Sequence, residues 1–572
     1  MFSILKTVFT LIGLLCALFF FQSGTRSLRP AYKTAVLVLI ALFYLFFRGI
    51  GDHGLLDPIE GINASVALNM AVRRNFAVPM AGDHLYLGNS MGFWWLSSLS
   101  LSVLGWSEFS VRLWSVLGGL GMAVTGWFIA LRTSGERSAN YAAVFIGSSL
   151  LVYVTSQLAS PHALYACLVT MSLAGAVYAF RNERFFILLH ASATLAFVVC
   201  GPEGIVLPWL SLLVYAVLAG QERFLVKALF YWPGILITVL IGGLYIFFLK
   251  ATNPYILTLM RHNIPGEMFN SVSSTLCVMA AGFLPWLGVL PEAIRSALPL
   301  RWGLILPSEK QNVLLLAWSA VFLFFGAFSR DALLLVASLP AIGVLCSDHL
   351  AKAVGKEDIG LFQRTIALEI TLFALFLLVG LPWFYVTNDK ALRHTLVSVI
   401  PWAAFCILFL FMGWQYARTR QPRKLMLHMG MLSLFSLLPL AGVFDLLSEN
   451  FSVRNPGLYL RSEAEQGDVL IQYAMNHPSL YFYVGKPGSA PLTVHAALNP
   501  RILDQNVVND SALNRMWGGR RRVFMLIKRS QRLTSPPQNV YSLYEAKDTI
   551  ILSNWGNNEF PADSDGFYLD SF

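Results

Sequence analysis

About fourteen apolar stretches, each close to the 20 residues a helix needs to cross a bilayer, divide this chain. They lie near 4–21, 34–50, 108–131, 139–157, 161–180, 185–200, 203–220, 232–250, 276–297, 313–328, 332–347, 366–387, 394–414 and 430–447. In hydrocarbon a backbone N–H or C=O has no water to bond, so stretches of this kind fold as helices. Composition agrees: of 572 residues, 56% are hydrophobic and only 13% charged, where a soluble domain carries about 25%. The chain reads as a polytopic α-helical membrane protein.

The net charge of +10, from 41 basic and 31 acidic residues, forms no basic stripe, which argues against nucleic acid as a partner. The basic residues fall instead into alternate loops. Arg26, Arg29 and Lys33 begin one series, continued by Arg132 and Arg137, Arg181 and Arg184, Arg223 and Lys227, Arg301 and Lys310, Lys352 and Lys356, and then "YARTRQPRKLMLH". By the positive-inside rule these loops are cytoplasmic, and the loops between them, with the C-terminus, are extracytoplasmic. The segment 4–21 follows Lys6 as a signal peptide would, but "FFFQSG" is a poor cleavage site, so it reads as a retained helix. The six cysteines stand singly in apolar segments, with neither metal-ligand spacing nor a disulfide pattern.

Three regions follow. Residues 1–33 are an added helix and a basic cytoplasmic loop, 34–449 the membrane domain, and 450–572 a small extracytoplasmic α/β domain. In the last, short β-rich runs alternate with polar turns, which predicts strands near 468–472, 480–484, 522–528, 540–545 and 548–552. It contains no glycine-rich phosphate loop and no nucleophile elbow, and reads as a lid or acceptor-binding module.

Two outer loops, about 51–107 and 251–275, are too long for simple turns. The first holds "LLDPIEGINASVALNMAVRRN" and "MGFWWLSSLSLSVLGW", which read as helices lying along the membrane surface. Asp57 and Glu60 are three residues apart, a spacing that sets two side chains on one helix face. Asp57 before Pro58 suits a helix N-cap, the structural reading. A carboxylate pair at a membrane interface also suits a general base or a metal ligand, the functional reading. No cluster with metal spacing establishes a cofactor, and a divalent metal at the pair stays open. His53, His84 and His162 read as solvated loop histidines, and Arg112 as either a phosphate contact or a snorkelling side chain.

The order of several segments carries a resemblance: the acidic motif after 34–50, "SEFSVRLWSVL", "SQLASPHALYA", "CGPEGIVLPWL", "AAGFLPWLGVLPEAI" and "HPSLYFYVGKP". Across about residues 34–552 the chain resembles the membrane glycosyltransferases of the protein-mannosyltransferase and lipid A aminoarabinose-transferase superfamily, which have the GT-C fold. That resemblance implies a sugar taken from a polyprenyl-phosphate carrier and passed to a lipid, glycan or protein acceptor on the outer face of the bacterial inner membrane. It implies Asp57 and Glu60 as the catalytic carboxylates. It places His262 at a recurring histidine and Tyr86 and Asn89 in a recurring motif, and these, with Arg73, Arg74 and Arg261 as cations for the phosphate, make the expected substrate-binding set. The chain departs from the family where Gly88 and Asn89 replace an acid and a base, Ser160 an aspartate, and Glu203 a lysine. Other cations handle the phosphate, or the substrate differs, or the fold persists without activity. A transporter or flippase is a further class, but it calls for internal repeats and charged midplane helices that the sequence does not display.

Overall fold

The computed structural model describes residues 30–82, 84–86, 91–252, 278–284, 286–299, 309–329, 331–356, 422–438, 440–465, 467–473, 477–485, 494–497, 510–519, 521–529, 539–546 and 549–555, with a few single positions besides. They group into two compact units. One comprises Met1–Ile50, Asn89–Phe93 and Arg112–Val443, the other Gly51–Gly88, Trp94–Val111 and Phe444–Phe572.

The first unit is helical. Among the described residues, Glu108–Ser134, His162–Ala179, Glu183–Cys200, Trp232–Thr252, Lys310–Phe328 and Ala332–Val354 are long and apolar enough to cross a membrane. The expected spans 4–21 and 366–387, and most of 394–414, lie outside the described residues. Three expected spans are not continuous helices. The stretch 139–157 is two helices, Glu136–Ser148 and Leu150–Gln157, bent by 55° at an extended Ser149. The break is tolerated because the Leu150 N–H donates to the Leu284 carbonyl (3.1 Å), so the freed group is satisfied. The stretch 276–297 ends in a 3₁₀ turn, Leu287–Val289, and a short helix, Leu290–Ala297, that opens with a proline and carries Glu292 and Arg295. The stretch 430–447 divides into Pro422–Ser436 and Leu440–Phe451, with Pro439 between them in sequence.

Small residues allow the helices of this unit to touch. A Cβ on Gly118 would stand 2.5 Å from the backbone of Ala163 and Leu164, so only glycine permits this crossing of Glu108–Ser134 and His162–Ala179. Polar side chains add ties: Gln157 Nε2 donates to the Phe46 carbonyl (2.8 Å), and Trp286 Nε1 to Ser148 Oγ (2.9 Å). Arg112 does not snorkel. It is fully buried and donates to the Ile50 carbonyl at 2.9 Å.

The second unit is built on a five-stranded sheet of order β4-β3-β5-β7-β6, formed by β3 (Val469–Tyr473), β4 (Val494–Ala497), β5 (Val523–Lys528), β6 (Tyr541–Glu545) and β7 (Thr549–Ser553). Strand β3 pairs in parallel with β4 and β5, while β7 pairs antiparallel with β5 and β6. Side chains alternate between two cores, as a two-residue period requires. Leu470, Phe524, Leu526 and Ile551 pack with Val453, Leu460, Leu480 and Val484 on one face. On the other, Ile471, Tyr473, Met525, Ile527 and Leu552 pack with Leu513 and Trp517.

The strand expected at 480–484 is instead a helix, Ser479–Val484, entered through Pro478 at φ −59°. A six-residue apolar run has too few positions for periodicity to separate strand from helix, and the proline decides the outcome. The parallel edge strand β4 was not expected. The same unit holds a small hairpin of β1 (Met80–Ala81) and β2 (His84–Leu85). It also holds the helix Ile59–Arg73, in which Glu60, Asn63 and most positions through Met70 are buried.

Candidate active site around Asp57

Asp57 stands just before the helix Ile59–Arg73, and it does not cap it. The residue preceding the helix is Pro58, with no side-chain cap, and the Asp57–Pro58 peptide bond is cis. The Asp57 carboxylate instead turns to the segment before and within Ser479–Val484. Oδ1 accepts the Ser479 N–H at 2.9 Å. Oδ2 accepts the Ser479 hydroxyl and also faces His477 Nδ1 at 3.0 Å. The side chain is only 3% exposed, yet it is satisfied. An ionised carboxylate offers about four lone-pair positions. Among the described residues three are filled, two on Oδ2 and one on Oδ1. The remaining position lies on Oδ1.

Glu60 is completely buried and takes different partners. Its Oε2 accepts the Leu56 N–H at 2.8 Å, closing the loop onto the first helical turn. The two carboxylates therefore stabilise one loop from its two sides. The Asp57 N–H is held by the Phe451 carbonyl (2.9 Å), and the Leu55 N–H by the Tyr483 hydroxyl (2.7 Å). Tyr483 in turn donates to Glu108 Oε1 (3.3 Å), whose other partner is Arg454 Nε at 3.0 Å. Arg454 also donates to the Asp52 carbonyl. On the helix, Ser65 donates to the Pro478 carbonyl (2.6 Å). Asn69 Nδ2 reaches the carbonyls of Met80 (2.8 Å) and Gly82 (2.6 Å) in the hairpin.

The other residues expected at the site are distributed differently. Arg73 and Arg74 close the far end of Ile59–Arg73, about 20 Å along the axis from Glu60 at 1.5 Å per residue. The helix separates them from the carboxylates rather than setting them opposite. Both are exposed, and Arg73 Nη1 lies 3.8 Å from Met80 Sδ. Tyr86 packs edge-on against Trp94, with ring centroids 5.8 Å apart, and partial burial raises its phenol above the ordinary value of 10.0. Trp94 is anchored by Asn63 Oδ1 at 2.8 Å. Asn89, Arg261 and His262 lie outside the described residues. Among the described residues, no three His, Cys, Asp or Glu side chains gather as metal ligands.

Sequence reasoning assigned no role to His477, Ser479, Tyr483, Glu108 or Arg454. The signal was present for four of them: "HPSLYFYVGKP" contains the first three and "SEFSVRLWSVL" contains Glu108. In the first unit His162 is also no solvated histidine. It is buried, with Nε2 2.6 Å from Asp331 Oδ2 and Nδ1 3.1 Å from Ser160 Oγ. Burial alone would raise the Asp331 carboxyl. The hydrogen bond and charge of His162, with the Leu333 N–H, outweigh it and hold that carboxyl below 3.8.

The chain is similar to known proteins over much of its length. The dolichyl-phosphate-mannose-protein mannosyltransferase family matches residues 89–245, a segment that begins after Asp57. An undecaprenyl phosphate-α-4-amino-4-deoxy-L-arabinose arabinosyl transferase of Pectobacterium carotovorum is 26% identical, over 70% of this chain and 75% of that one. Its counterpart in Pectobacterium atrosepticum is 24% identical, over 67% and 72%. Among solved structures, ArnT from Cupriavidus metallidurans bound to undecaprenyl phosphate superposes with a TM-score of 0.78 at 18% identity, covering 91% of this chain and 98% of that one. The apo form gives 0.75 at 19% identity, over 92% and 99%. The fold is thus that of a multi-pass GT-C membrane protein, and in sequence the chain is similar both to the protein mannosyltransferases and to the aminoarabinose transferases.

Proposed function

We propose that this protein is a glycosyltransferase that moves a sugar from a polyprenyl-phosphate carrier to a lipid, glycan or protein acceptor. The reaction takes place on the outer face of the bacterial inner membrane, where the second unit is periplasmic. The observation that carries the reading is the Asp57 carboxylate, kept from bulk water and oriented by three donors, with one acceptor position on Oδ1 unfilled among the described residues. The relatives' names support the substrate class, since several are undecaprenyl-phosphate aminoarabinose transferases.

The chemistry follows from that geometry. The acceptor's hydroxyl or amine gives its proton to Asp57 Oδ1 while its lone pair attacks the anomeric carbon. The bond from that carbon to the carrier phosphate breaks, and polyprenyl phosphate leaves with the electron pair. A carboxylate held in a fixed orientation is aligned in advance for proton transfer from a bound nucleophile. Glu60 holds the loop that presents Asp57, and Tyr86, Asn89, Arg261 and His262 make up the substrate-binding set; Arg73 and Arg74, at the far end of the helix, stand outside it.

One observation favours a second reading. The partners of Asp57 are also those of an anchor tying the loop to Ser479, and Gly88, Ser160 and Glu203 stand where the family resemblance leads one to expect other groups. On this reading the protein keeps the fold and binds the carrier without turning it over. Purified protein supplied with undecaprenyl phosphate bearing labelled aminoarabinose and a lipid A acceptor separates the two. Label passing to the acceptor, with undecaprenyl phosphate released, supports the enzyme. Carrier binding without release supports the second reading.

A further inference from the structure

His477 is held from both sides by one buried side chain. Gln472, 2% exposed on β3, accepts the His477 N–H through Oε1 at 2.8 Å and gives its own Nε2 to the His477 carbonyl at 3.3 Å. This reciprocal pair fixes the backbone of His477 against the end of a central strand, a rigid support of the kind a catalytic group needs. From that fixed point the imidazole reaches Asp57 Oδ2 with Nδ1 at 3.0 Å, and the ring is 15% exposed. A carboxylate oxygen only accepts, so Nδ1 carries the proton. The Ser479 hydroxyl fills the other position on Oδ2, and the Ser479 N–H one position on Oδ1. These donors fix both the position and the plane of the carboxylate, and so the direction of the lone pair on Oδ1 that no described residue fills.

We infer that His477 is a positioning residue for Asp57. Its Nδ1–H locks the carboxylate in the orientation that accepts the acceptor's proton, and Gln472 fixes His477. The inference rests on the catalytic reading of Asp57 given above. It assigns part of the reaction to the α/β domain, which on sequence reads only as a lid or acceptor module. His477 neither touches the transferred sugar nor takes its proton; it acts through Asp57.

The side-chain amide of asparagine overlays Nδ1 of histidine, while that of glutamine overlays Nε2. His477→Asn therefore keeps the donor at Asp57, and His477→Gln misplaces it. The test measures steady-state release of undecaprenyl phosphate from the aminoarabinose-loaded carrier, for purified His477→Ala, His477→Asn, His477→Gln and Gln472→Leu beside Asp57→Asn. The expected result is a kcat lowered on the order of 10- to 100-fold in His477→Ala, His477→Gln and Gln472→Leu, with KM for the carrier near wild type. His477→Asn recovers most of the loss. If Asp57→Asn is inactive while His477→Asn and His477→Gln both turn over like wild type, the positioning role is overturned and the catalytic reading stands. If Asp57→Asn is itself active, the catalytic reading falls and the inference with it. Should His477→Ala not fold, the comparison of Asn with Gln decides alone.

Discussion

Gly61 faces Asp57 so closely that a Cβ on it would lie 1.9 Å from Asp57 Oδ1 and 2.5 Å from the Ser479 nitrogen. Glycine at this position is what lets the first turn of Ile59–Arg73 approach the carboxylate and its main donor together. Gly61→Ala must push Oδ1 aside. Transfer is expected to fall about 100-fold, the cost of roughly 1 Å of misplacement at a reacting group. Turnover near wild type in Gly61→Ala would show that the position of Oδ1 does not matter to the reaction.

Tyr483 joins three parts of the second unit through one hydroxyl, accepting the Leu55 N–H and donating to Glu108. Tyr483→Phe leaves that buried N–H without its acceptor, which costs about 1–3 kcal/mol. The melting temperature of the purified variant is expected to drop, with activity falling in parallel as the Asp57 loop loosens. An unchanged melting temperature would remove Tyr483 from the set that holds the loop.

Asp331 and His162 give the first unit a pH dependence of definite sign. The Asp331 carboxyl is depressed below 3.8, so its contribution is fully present above that value and is lost as pH falls through the lower, folded-state value. Because Asp331 is 47% exposed, solvent screening keeps the contribution to about 1 kcal/mol or less. Thermal melts of wild type and Asp331→Asn at pH 7 should differ by a small amount, the gap should start to narrow below pH 3.8, and the curves should meet once pH is under the lower folded-state value. A gap that persists there would mean that the ionised carboxylate is not the source.

The topology assigned by the basic loops sets the exposed Asn75 and Ser462 outside and the exposed Arg181 inside. Single cysteines at these positions, probed in intact cells with an impermeant thiol reagent, should label at 75 and 462 but not at 181. Labelling of the first two only after permeabilisation would invert the orientation and move Asp57 to the cytoplasmic side.

The membrane fold was legible because hydrophobic length is a strong signal that each span carries by itself. What was missed depends on contacts distant in sequence. Ser149 bends a span because Leu284 is there to receive the freed N–H, and no local pattern announces that. Asp57 had every local mark of an N-cap, but its donors come from Ser479 and His477, more than 400 positions away. The segment 480–484 was read as strand because aromatic runs suit either state, and a cap-forming proline outweighed that propensity. Glu60 and Asp57 were legible as a pair; that each has its own partner was not. Arg73 and Arg74 were grouped with them by nearness in sequence, which fifteen residues of helix turn into distance.

The central claim is that the Asp57 carboxylate takes the acceptor's proton, and Asp57→Asn tests it most directly. The substitution is well matched in shape: the amide oxygen can still accept the Ser479 N–H. Ser479 Oγ and His477 Nδ1 can each accept from the new NH₂ by rotating or changing tautomer. The measurement is the release of undecaprenyl phosphate from a labelled sugar carrier by the variant, alongside its carrier affinity and melting temperature. The expected result is release reduced on the order of 100- to 10,000-fold with affinity and folding retained. Release near the wild-type rate by a folded Asp57→Asn protein would contradict the claim and leave Asp57 as the anchor of its loop.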